Sequence, residues 1–199
     1  MVNYQKRLGV LAWILVVSIL TAGCGASRQN AYESLNKGTT AYKNSQFADA
    51  EDKWTKSLRV FINKKDARGR GVAHANLATL YLKYTESEYL DQAQYHLEIA
   101  EFIHGKLKDK FSQQLNLAGL VEVFRKKGQL SKASLFAQKR IEVLRETGDN
   151  GILADALIEY VDLMIDQKEF GSVEGLLDEA IKLFQQSGEE VKLATAKVK

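Results

Sequence analysis

An all-α fold of repeated helical hairpins is the class this sequence predicts, on three observations. The 199 residues contain no proline, where ordinary usage of about 5% would supply on the order of ten, so nothing interrupts long helices. Small, aromatic and apolar residues recur in the same order about every 40 residues. Glycines stand where such a scheme needs breaks: Gly69 and Gly71, Gly105, Gly128, Gly148 and Gly151, and Gly188. A single cysteine excludes an internal disulfide and any multi-cysteine metal site. Lys and Arg number 28 against 25 Asp and Glu, a net charge of +3, which carries no nucleic-acid footprint. With 45% hydrophobic and 27% charged residues, the chain is globular in composition and not disordered.

The first element is an address. Lys6 and Arg7 precede residues 8–20, which carry no charge; at 1.5 Å per residue this stretch reaches only about 20 Å, against roughly 30 Å of hydrocarbon core. That is the pattern of a signal-peptide apolar region. Thr21, Ala22, Gly23 and Cys24 follow, and this run resembles the bacterial lipobox, with Thr21 where an aliphatic residue is usual. The resemblance implies that residues 1–23 are removed and that Cys24 is lipidated, palmitate included, and becomes the mature N-terminus. The alternative is an uncleaved anchor followed by an unmodified cysteine. Gly25 stands where aspartate would signal inner-membrane retention, so the resemblance implies the periplasmic face of the outer membrane over the inner membrane. Residues 24–30 are expected to form the lipidated cysteine and a short flexible tether.

The helical domain is expected over residues 31–199. Its first hairpin takes helices at 31–44 and 47–63, with Gly38, Ala41 and Tyr42 on the first and Phe47, Ala50, Trp54 and Leu58 on the second. The second takes 71–83 and 89–105, carrying Leu77, Ala78 and Tyr81, then Leu90, Ala93 and Leu97. The third takes 110–127 and 130–146, with Leu120, Val121 and Phe124, then Leu130, Ala133 and Ala137. The fourth takes 152–167 and 170–186, with Tyr160, Val161 and Met164, then Phe170, Val173 and Leu177. The small second-helix positions Ala50, Ala93, Ala133 and Val173 are 43, 40 and 40 residues apart. The first-helix positions Gly38, Ala78, Val121 and Val161 are 40, 43 and 40 apart. Three extra residues therefore lie between the helices of the second unit, in a polar loop at 84–89.

These positions resemble the tetratricopeptide repeat over roughly residues 32–187, with Gly128, Leu130 and Ala133 the sharpest instance. The closing proline of that family is missing throughout. The resemblance implies a right-handed α-solenoid of about four hairpins, in units at about 31–64, 71–106, 110–147 and 151–187, with the first helix of each unit lining a concave groove. Val191, Ala194 and Val198 share one helix face, so 189–199 reads as a capping helix, or as the first helix of a fifth repeat.

Chemistry is sparse. The chain has no GxxxxGK[ST], HExxH, GxSxG or CxxC motif, so no catalytic residue, metal site or cofactor is expected, and the chain is expected not to be an enzyme. His74, His96 and His104 read as surface or packing residues, and Gly69 to Gly71 as an inter-repeat linker. Tyr81, Tyr95, Phe102, Phe124, Phe136 and Phe184 read as core, and the lysines and arginines of the third unit as a solvated face. Asp155, Glu159, Asp162 and Asp166, spaced 4, 3 and 4, share an arc of roughly 60° on one helix. Four like charges on one stripe repel one another, and a cationic partner would relieve them.

The candidate groove comprises Tyr42, Thr79, Leu82, Glu122, Arg125, Asp155, Glu159, Asp162 and Asp166. Tyr32, Leu35 and Thr39 extend its apolar to neutral end, and its acidic end suits a peptide with basic residues. The expected function is a membrane-anchored, non-catalytic scaffold of the bacterial envelope that binds a protein or peptide partner. Assembly of a pilus or secretion complex is the role some similar lipoproteins suggest. The alternatives are an adaptor of a peptidoglycan-remodelling enzyme and, further off, an unrecognised enzyme or small-ligand receptor. No nucleic-acid partner is expected, and the membrane is reached through the lipid.

Overall fold

The computed structural model describes residues 27–188, and among them the chain forms eight helices and no strand. Helix α1 occupies 27–43, followed by α2 (Phe47–Asn63), α3 (Ala67–Tyr81), α4 (Ser87–Lys106), α5 (Lys110–Lys126), α6 (Leu130–Arg145), α7 (Asn150–Asp166) and α8 (Val173–Ser187). From α4 onward each helix packs on its successor, the sequential pattern of an α-solenoid built from helical hairpins. Cys24, the signal segment and the cap at 189–199 lie outside the described residues. The tether expected to run to residue 30 is already helical from residue 27.

Three-residue turns at 44–46, 64–66, 107–109 and 127–129 separate successive helices. The middle residue of each is left-handed: Ser45 (φ 60), Lys65 (φ 52), Lys108 (φ 56) and Gly128 (φ 68). Only Gly128 meets that geometry without a Cβ penalty. Gly69, Gly71, Gly105 and Gly151, expected as breaks, lie inside helices. The start of α3 shows why: Asp66 accepts a hydrogen bond from the Gly69 N–H at 2.9 Å, a cap that starts the helix at Ala67, four residues ahead of Gly71. Gly69 is also where the ring of Phe61 lies against α3, since a Cβ there would fall 2.4 Å from Phe61 Cδ1. Asp109 and Asp149 begin α5 and α7 in the same way, accepting from Ser112 N at 3.1 Å and Ile152 N at 3.0 Å.

The chain divides into two compact units between Ala73 and His74, inside α3. In the first, α1 and α2 form an antiparallel hairpin around Trp54, which is 2% exposed. Its Nε1 donates to the Leu35 carbonyl at 3.1 Å, and Ser57 Oγ donates to the Ala31 carbonyl at 3.0 Å. Gly38 permits this approach, because a Cβ there would stand 2.6 Å from Trp54 Nε1. Leu35, expected along the groove, is instead core, because that same approach covers its side of α1. The Asp66 carboxylate accepts from the Tyr32 hydroxyl at 3.2 Å and pairs with Arg28 at 3.5 Å.

In the second unit the hairpins are joined through apolar contacts and buried polar links. Leu77, Ala78, Leu90, Ala93, Leu97, Leu120, Val121, Ala133, Ala137, Leu157 and Val161 are buried. His74 and His96 join α3 to α4 through their Nδ1 atoms at 2.8 Å, so one ring donates and the other accepts. His104 Nδ1 meets Asn116 Nδ2 at 2.7 Å, joining α4 to α5. All three histidines are packing residues.

The loop expected at 84–89 is half helical, since α4 begins at Ser87, and its tyrosines stack: Tyr84 on Tyr89 at 4.5 Å and Tyr89 on Tyr81 at 6.2 Å. Tyr95 and Phe102, expected in the core, are 59% and 62% exposed. The buried stripe of α4 runs through Leu90, Ala93, Leu97 and Ala100, and residues two positions from Ala93 or Ala100 project about 200° away from it. The basic third unit is not simply solvated, because Lys110, Lys127 and Arg145 reach Glu146, Asp91 and Glu179. Helix α8 starts at Val173, not at 170: Gly171 and Ser172 are weak helix formers, and Phe170 stays exposed in the turn.

Candidate binding groove

The second unit holds a cavity of about 650 Å³ lined by Thr79, Leu82, Leu115, Ala118, Gly119, Glu122, Arg125, Lys126 and Glu159. These residues come from the end of α3, from α5 and from α7, the first helices of three successive hairpins. Of the nine groove residues expected from sequence, five line it: Thr79, Leu82, Glu122, Arg125 and Glu159. Asp155 and Asp162 are half-buried elsewhere on α7, and Asp166 is exposed near its end. Tyr42 belongs to the first unit, where its ring lies 5.6 Å from Trp54 and 5.7 Å from Phe47.

One stripe of α5 makes most of the wall. Leu115, Ala118, Glu122 and Arg125 are spaced 3, 4 and 3 and share a face, while Leu117, Leu120, Val121 and Phe124 bury the other. Leu115 is 51% exposed, so the floor is apolar and open. Gly119 keeps the wall close to α4, because a Cβ there would sit 2.8 Å from Leu97 Cδ2. The floor residues Leu115, Ala118 and Gly119 were not anticipated. Their signal was an apolar pair on the solvent side of a helix whose core face was already filled.

The charges of the cavity are largely matched internally. Lys126 pairs with Glu122 at 2.9 Å and donates to the Leu82 carbonyl at 2.5 Å, a cation at the carboxyl end of α3 where the helix dipole favours it. Arg140 of α6 pairs with Glu159 at 2.6 Å and its Nε donates to Gln114 Oε1 at 3.3 Å. The acidic stripe of α7 is therefore already relieved in part by a neighbouring helix. Asp155 and Asp162 also have partners within the fold. Arg125 is the exception: among the described residues its guanidinium has no ion-pair partner.

Elsewhere, α1 and α2 bound a cavity of about 400 Å³ lined mostly by small polar residues, Ser27, Asn30, Ser34 and Ser57 among them. Among the described residues no three His, Cys, Asp or Glu side chains are grouped to hold a metal ion, and no helix is long and apolar enough to cross a membrane. No family model matches the chain, and no curated protein matches it.

Proposed function

We propose that this chain is a lipid-anchored, non-catalytic binding scaffold of the bacterial envelope, of the tetratricopeptide lipoprotein kind, which captures a segment of a partner protein in the groove of α3, α5 and α7. The observation that carries the reading is the open cavity shared by three successive first helices, with an apolar floor and a charged rim. Extended concave surfaces of this type suit peptide capture. The anchor is read from residues 21–24 of the sequence, where Cys24 would carry the lipid and hold the repeats at the periplasmic face of the outer membrane. More than one acyl chain gives stable attachment, at about 0.8 kcal/mol per buried methylene. Help in assembling a pilus or secretion complex is the role within this reading that the resemblance suggests.

Two measurements test it. Cell fractionation of the wild type and of Cys24→Ser should place the wild type with outer membranes and release the variant to the soluble fraction; equal partition of the two removes the anchor. In-cell photocrosslinking from a probe amino acid at Leu115 should trap a defined partner that a probe at exposed Phe102, on the outer face of α4, does not. Identical products from both positions would remove the groove.

A further inference from the structure

We infer that the groove selects an extended segment bearing an apolar side chain followed three residues later by an acidic one, with Arg125 as its carboxylate receptor. This rests on the groove reading above and specifies its ligand. The sequence stripe of acids on α7 suggests a basic ligand, but the paired charges of the cavity point the other way. Glu122 is matched by Lys126 and Glu159 by Arg140, so the carboxylates of the wall are already neutralised. Arg125 is exposed, lines the cavity and has no ion-pair partner among the described residues, leaving one uncompensated positive charge. A planar guanidinium presents paired donors that fit a carboxylate in bidentate geometry.

The setting of that cation defines the rest of the ligand. One repeat to either side, the positions equivalent to Arg125 are Leu82 and Ile165, 43 and 40 residues away, so the arginine is a single charge in an otherwise apolar row. Ala118 and Leu115 lie seven and ten residues before it on the same face of α5, and Ala118 is thus about 10 Å from Arg125 along the helix axis. At about 3.1 Å per residue an extended segment in the polyproline II conformation covers that span in three residues and, with three residues per turn, keeps both side chains on the same face. An apolar side chain on the Leu115–Ala118 floor therefore brings the carboxylate of the third following residue to Arg125.

Selection from a phage-displayed random dodecapeptide library on the full-length chain, purified in mild detergent, tests this. Wild type should enrich peptides in which Asp or Glu follows an apolar residue at the third position. Arg125→Glu should abolish that enrichment and weaken a selected synthetic peptide about tenfold or more, with Arg125→Lys between the two. Both positions are exposed, and circular dichroism checks that the variants keep the helical fold. Enrichment of basic peptides, or acidic peptides held equally by Arg125→Glu but lost in Leu115→Asp, would overturn the acidic specificity and leave the groove intact. No enrichment, or peptides indifferent to both Arg125→Glu and Leu115→Asp, would overturn the groove as well.

Discussion

At the scale of single residues the fold depends on a few close approaches. Gly38 lies so near Trp54 that a Cβ would sit 2.6 Å from its Nε1, and indole and helix backbone leave little room to give. Gly38→Ala is expected to lower unfolding free energy by about 2 kcal/mol, read by urea denaturation; an unchanged midpoint would show that the hairpin relaxes. Gly128→Ala acts differently, through φ 68 with open space around the Cα, and should cost about 1 kcal/mol. Tyr32 adds a pH signature. Burial, then the charge of Asp66 and the hydrogen bond to it, push the phenol above its ordinary 10.0. Because the folded value exceeds the unfolded one, the stability it contributes is complete below pH 10 and falls as pH rises through the folded value. Tyr32→Phe should cost about 1 kcal/mol at neutral pH and flatten the alkaline decline, and the late-titrating tyrosinate absorbance should be smaller in the variant than in the wild type.

Between elements, polar links fix neighbours as much as apolar contacts do. Arg140 on α6 holds Gln114 of α5 and Glu159 of α7 at once, with most of the guanidinium out of water. Removing it leaves buried Gln114 and part-buried Glu159 to find new partners, so Arg140→Ala is expected to cost about 2 kcal/mol. A double-mutant cycle with Glu159→Gln should return a coupling of about 1 kcal/mol; strict additivity would mean that the pair contributes nothing. Helix α8 is the contrasting case. It buries only Ala180 and Phe184 fully, whereas α7 buries eight residues. Amide exchange in α8 should outpace that in α7 by at least tenfold, and equal protection would mean that the final hairpin opens as one unit.

Across the whole molecule the capping aspartates form a repeat that complements the apolar one. Asp66, Asp109 and Asp149 are 43 and 40 residues apart, the same intervals as the small first-helix positions, and each opens the first helix of a unit. Their left-handed neighbours Lys65, Lys108 and Gly148 share the spacing. A chain without proline thus starts its repeats with a side-chain cap instead of closing them with an imino acid. Since each cap satisfies an amide that helix formation leaves open, Asp109→Ala is expected to lower stability by about 1 kcal/mol, measured as a shift in thermal midpoint; no shift would mean that water replaces the carboxylate.

The sequence by itself determined the all-α class, the eight helices of the described residues with their approximate bounds, and the small residues at the helix contacts. These follow from a 3.6-residue periodicity and from spacing, which are local properties of the chain. It also placed Thr79, Leu82, Glu122, Arg125 and Glu159 on one surface, because residues at equivalent repeat positions face the same way. Only the tertiary structure decided which glycines turn the chain and which admit an aromatic ring, since Phe61 reaches Gly69 from another helix. Only it showed Tyr95 and Phe102 in solvent, because the buried stripe of α4 was already filled. The balance of charge in the groove was likewise decided in three dimensions. Glu159 looked uncompensated along its own helix, yet Arg140 from α6 meets it at 2.6 Å, while Arg125, surrounded by charges in the sequence, is left to face the groove without an ion-pair partner among the described residues.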